Sequence, residues 1–61
     1  MENNMTHEVL VEAFAIYIAE SENFETKGVK ASAARARKAL MELTKAAKTR
    51  RGEIQDKKNS L

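Results

Sequence analysis

From Val9 to Ala19 the chain is uncharged at every position except Glu12, and Leu10, Phe14, Tyr17 and Phe24 recur along it at steps of three, four or seven. That period predicts an amphipathic helix over about residues 5–24. Val9, Ala13 and Ile16 mark an adjacent face, and Val11, Ala15 and Ile18 carry apolar surface further round. A helix with so little polar surface cannot be covered by one partner helix of similar width, so the pattern predicts a bundle built from more than one chain. A dimer is the simplest such assembly, with Leu10, Phe14, Ile16, Tyr17 and Ile18 in its core beside Leu40 and Leu43 of the following segment. The uncharged run is far shorter than the roughly 20 residues that cross a bilayer, so a membrane is not an expected partner.

A second pattern starts at Val29 and continues through Ala33, Ala36, Leu40, Leu43, Ala47 and Ile54, again at steps of three, four or seven. It predicts a helix from about 29 to 51. Small residues fill the first half of this stripe, which suits close packing against Phe14, Ile16 and Tyr17 of the first helix. Between the helices, Glu25-Thr26-Lys27-Gly28 reads as a short turn in which Gly28 can take a positive φ, and so tight a connection folds the helices back antiparallel. Asn4 or Thr6 is the expected cap of the first helix, with Glu8 at the positive end of its dipole. Gly52 is expected to stop the second helix and leave a frayed polar tail over 52–61. The expected fold is therefore all-α: one helical-hairpin domain spanning 1–61, an antiparallel two-helix hairpin that assembles into a helical bundle as a dimer or higher oligomer.

Size supports assembly. A chain of 61 residues buries only about 60% of its unfolded surface and is marginal alone. With no cysteine there is neither a disulfide nor a thiolate metal site to add stability, which leaves oligomerisation.

Charge changes the picture. Residues 1–26 carry six carboxylates and no Lys or Arg; residues 27–61 carry eleven Lys and Arg against three carboxylates. The net charge of +2 hides a segregation that points to one segment reserved for a polyanion. At 100° per residue, Lys27, Lys30, Arg37, Lys38, Lys45, Lys48 and Arg51 fall within an arc of about 140°, set about 110 to 120° from the apolar stripe, while Arg35 and Arg50 lie outside it. Glu42 is the only acid between Val29 and Arg51, so little internal pairing neutralises this face. An unneutralised basic face is the footprint of a surface that tracks phosphates. No Asn or Gln falls between 29 and 51, so that helix offers no base-reading amide.

Other chemistry is thin. His7 is the one histidine and has no cysteine or clustered carboxylate near it in sequence, so neither metal ligation nor general-base catalysis is expected. Ser21 and Ser32 have no base at motif spacing, and no Gly-rich phosphate loop occurs. No enzyme activity, cofactor or metal is expected. The acidic start lacks a signal-peptide pattern, which makes a cytoplasmic location the expectation. Two alternatives to a DNA-binding role remain open at this level: an RNA-binding helical hairpin, and an oligomeric protein-interaction module whose basic stripe meets an acidic partner.

The segment Lys27-Gly28-Val29-Lys30-Ala31-Ser32-Ala33-Ala34-Arg35-Ala36-Arg37-Lys38-Ala39, followed by Leu40, Leu43, Lys45, Lys48 and Arg50, resembles the small bacterial linker-histone-like proteins of the chlamydial type. In that family a Lys-Gly-x-Lys-Ala turn leads into an Ala-rich helix carrying Arg-x-Arg-Lys-Ala. The resemblance covers about residues 27–51. It implies a nucleoid-associated protein that binds and compacts DNA with little sequence preference. By the same resemblance Lys27, Lys30, Arg35, Arg37, Lys38, Lys45, Lys48 and Arg50 become candidate DNA contacts, and Arg51 joins them from the arc. Two features depart from the chlamydial type: the acidic first helix, and a chain that ends soon after Lys57-Lys58 where other members continue into a Lys-rich tail.

Overall fold

The computed structural model describes residues 4–61. Two helices, α1 (Met5–Lys27) and α2 (Lys30–Asn59), lie antiparallel as a hairpin. Asn4 caps α1 as expected: its side-chain oxygen accepts from the His7 amide at 2.9 Å, satisfying a first-turn donor that has no partner within the helix.

The turn is tighter than 25–28. α1 runs on to Lys27, and Gly28 closes it in the left-handed region at φ 67°, its amide donating to the Phe24 carbonyl at 2.9 Å. An L side chain there would cost roughly 1–2 kcal/mol, which is why glycine stands at this position. Only Gly28 and Val29 separate the helices, and Lys27 therefore belongs to the last turn of α1 rather than to the basic arc of α2.

The second helix is longer than its sequence suggests. The tail expected to fray after Gly52 is helical to Asn59. Glycine inside a helix costs about 1 kcal/mol, and three features offset that here. Glu53 is tethered to α1 by the Thr6 hydroxyl at 2.7 Å and the Asn4 amide at 3.3 Å, Lys57 and Lys58 lie at the negative end of the helix dipole, and the Ser60 amide donates to the carbonyls of Asp56 and Lys57.

The seam between the helices is made of small residues. Ala13 of α1 and Ser32, Ala36 and Ala39 of α2 are buried, flanked by half-buried Leu10, Tyr17, Leu43, Ala46 and Ala47. The expectation that alanines of the second helix would pack against Phe14, Ile16 and Tyr17 is corrected for Phe14, which is exposed, whereas Tyr17 is half-buried at the seam and Ile16, though largely exposed, shares a groove with Ala39. Alanine meeting alanine allows the closest backbone approach. α2 is accordingly turned so that Ser32, Ala39 and Ala46 face inward, while Val29, Leu40 and Ile54 stay outside. Of the residues expected in an oligomer core, Leu10, Tyr17 and Leu43 are half-buried within one chain, and Phe14, Ile16, Ile18 and Leu40 are exposed on it.

Candidate nucleic-acid interface

α2 carries Lys30, Arg37, Lys38, Lys45, Lys48 and Arg51 on its outward face, and all six are exposed. At 100° per residue they fill an arc of about 140° centred nearly opposite the seam formed by Ser32, Ala36, Ala39 and Leu43. The stripe from Lys30 to Arg51 is about 32 Å long, close to one turn of B-form DNA. Lys27 extends it at the tip of the hairpin. Among the described residues none of these seven cations has a carboxylate oxygen within 4.0 Å.

Arg35 and Arg50 occupy different places. Arg35 Nε pairs with Glu20 Oε2 of α1 at 2.9 Å, and Arg50 Nη1 meets Glu53 Oε1 at 3.2 Å. Both lie toward the inner side of α2; Arg35 bonds across to α1, whereas the Arg50 pair stays within α2 and adjoins the Glu53 contacts to Thr6 and Asn4. Helical spacing already set them outside the arc; the cross-helix pairing of Arg35 left no local signal in the sequence. Two further residues escaped the sequence reading because α2 was expected to end at Arg51. Gln55 and Asn59 are helical and exposed, four and eight residues beyond Arg51 on the same face, so the helix does carry amides able to bond a base edge or a phosphate.

The acids form the complementary edge. Glu8, Glu12 and Glu22 are exposed on the outward side of α1. The hairpin measures 48 × 21 × 13 Å, so charge of opposite sign lines its two long edges across the 21 Å width. A polyanion is attracted to one edge and repelled by the other, which orients the molecule on approach.

Two carboxyls act inside the hairpin. The Arg35 guanidinium, and secondarily the Ser32 hydroxyl, hold Glu20 below its ordinary value of 4.5. Ser32 Oγ accepts from Arg35 Nη2 at 3.3 Å, while Glu20 Oε1 is buried without a hydrogen-bond partner among the described residues. Glu53 is likewise lowered, first by the Thr6 hydroxyl and then by Asn4 and Arg50. A carboxyl whose folded value lies below its unfolded one contributes stability that is complete above about 4.5 and disappears as pH falls through the folded value. Melting followed by circular dichroism should therefore hold steady from neutral pH to about 5 and fall below 4.5, with the double variant Glu20→Gln, Glu53→Gln showing a flatter acid limb. A melting temperature that ignores acidification to pH 3 in the parent chain would contradict these roles.

The arrangement offers charge and shape rather than reactive groups. Among the described residues no three His, Cys, Asp or Glu side chains cluster as a metal site would require, and no helix is long and apolar enough to cross a membrane. The family model described as Histone H1-like protein Hc1 matches residues 4–60. The chain belongs to this Hc1 family. The match takes in α1 as well as α2. Neither the curated proteins nor the solved structures contain a match to the chain.

Proposed function

We propose that this Hc1-family chain is a histone-like, nucleoid-associated protein that binds DNA through its phosphate backbone without regard to sequence. The observation that carries the proposal is the edge of α2: six exposed cations, free of ion pairs among the described residues, on a rigid helix about one DNA turn long. Lys30, Arg37, Lys38, Lys45, Lys48 and Arg51 contact phosphates, with Lys27 at the tip, while Arg35 ties α2 to α1 through Glu20 and Arg50 is paired within α2 to Glu53. The acidic edge of α1 faces away from the duplex. An assembly of two or more hairpins presents several such edges and so can bridge or compact DNA where one hairpin only coats it.

Phosphate contacts position a protein but carry no sequence information. Two duplexes of equal length, one A·T-rich and one G·C-rich, should therefore bind with affinities within a few fold of each other in an anisotropy titration at one salt concentration. A preference of a hundredfold would mean direct base readout, with Gln55 the first residue to test. Tighter binding to duplex RNA than to either DNA would favour an RNA-binding hairpin instead.

A further inference from the structure

The outward face of α2 is not uniformly charged. At its midpoint Met41 is 73% exposed, a large apolar side chain with cations one turn away on either side. At 100° per residue Lys38 and Lys45 stand about 60° and 40° to one flank of it, and Arg37 and Arg51 about 40° and 80° to the other. Two smaller groups accompany Met41 between those flanks. Ala34 is exposed seven residues before it, and Thr44 is exposed three residues after. The Thr44 hydroxyl donates back to the Leu40 carbonyl at 3.0 Å, which leaves its methyl as the outward group. A narrow apolar strip therefore runs between two rows of cations.

Charge decides what covers this strip. Arg37, Lys38 and Lys45 have no carboxylate oxygen within 4.0 Å among the described residues. An apolar protein surface laid over Met41 would strip water from those three cations and pair none of them, which is a heavy penalty. A duplex meets both needs, with base edges on the floor of a groove and phosphates along its two rims. The major groove, about 12 Å wide, admits a helix about 10–12 Å across, and the minor groove, about 6 Å wide, does not.

We propose that α2 lies edge-on in the major groove of B-form DNA, with Ala34, Met41 and Thr44 against the base edges and the flanking cations on the phosphates of the two strands. The proposal rests on the DNA-binding reading and gives it a docking geometry. Because the groove winds away from a straight helix, only the turns around Met41 reach the floor. Lys30 and Arg51, nearer the ends, meet phosphates where the duplex curves off, and Gln55, about 21 Å along the axis from Met41, lies beyond the base edges. Apolar contact favours the thymine methyl but reads no hydrogen-bonding pattern, so sequence preference stays within a few fold. Glu42 stands about 100° from Met41, outside the seated arc. The acids of α1 stay clear as well, since the hairpin is 21 Å wide and the groove only about 8.5 Å deep. This seating also selects among nucleic acids, because the major groove of A-form RNA is too narrow for side chains to read.

The test uses two duplexes of one sequence, one with thymine and one with uracil, which differ only in the major-groove methyls. In anisotropy titrations the parent should bind the thymine duplex about fourfold more tightly, the effect of one buried methyl. Met41→Ala should lose about that factor on the thymine duplex and bind the two duplexes alike. It should keep the parent's salt slope, since no phosphate contact is removed. Met5→Ala, at a side chain 77% exposed but off the stripe, should change neither affinity. Dimethyl sulfate gives an independent readout, because it methylates guanine N7 in the major groove and adenine N3 in the minor groove. Saturating protein should suppress methylation at N7 and leave N3 unchanged. A parent and a Met41→Ala variant that each bind both duplexes equally, or protection of adenine N3 in place of guanine N7, would overturn the groove seating. Either result with a steep salt dependence removes the docking geometry alone and leaves the phosphate reading standing, whereas no binding at low salt removes both.

Discussion

Reversing three cations at once, Arg37→Glu, Lys38→Glu and Lys48→Glu, should lower DNA affinity by about 500-fold at 0.1 M salt, since each phosphate contact contributes about 0.9 log units there. Repulsion from the three new carboxylates adds to that loss. Folding should survive, because all three side chains are exposed and none is ion-paired among the described residues. Fluorescence anisotropy with a labelled duplex measures the first effect, and circular dichroism the second. The loss should be the same for every sequence, as phosphate contacts are blind to the bases. A triple variant that is folded and binds as tightly as the parent would remove the outer edge of α2 from the interface.

Enlarging the seam should have the largest effect on stability. Ala39 is 3% exposed, held where α2 comes closest to α1. Leucine there adds three carbons to a space lined by other small side chains, and overpacking of that kind costs about 2 kcal/mol, or about 10 °C in melting temperature for a domain this small. Ala34→Leu, on the exposed side of the same helix, is the control and should change stability by no more than about 0.5 kcal/mol. Equal melting temperatures for the two variants would show that the helices are not held by alanine contact.

Much of this architecture is legible in the chain. Helical period, the Asn4 cap and the glycine that must adopt a positive φ are local properties, and each reads correctly from neighbouring residues. The basic arc is likewise a matter of spacing within one helix. What failed to show depends on residues far apart in sequence. Gly52 looks like a stop because the Glu53 contacts that hold the helix past it come from Asn4 and Thr6, 49 and 47 positions away. The pairing of Arg35 with Glu20 hides in the same way, since nothing near either residue predicts the other. The seam was misplaced for a different reason. A hydrophobic stripe is weighted toward its bulky members, whereas two helices in close contact select the smallest, which moved Leu40 and Val29 to the flank and brought Ser32 and Ala39 inward.

The salt dependence of binding tests the central claim most directly. The parent chain is titrated into a random-sequence duplex at several salt concentrations, and the logarithm of the association constant is plotted against that of the salt. Engagement of the six cations of α2 and Lys27 predicts a linear fall with a slope approaching −6, from about 0.9 per phosphate contact. A slope near zero, or no binding at the lowest salt, would contradict the reading of α2 as a phosphate-tracking edge.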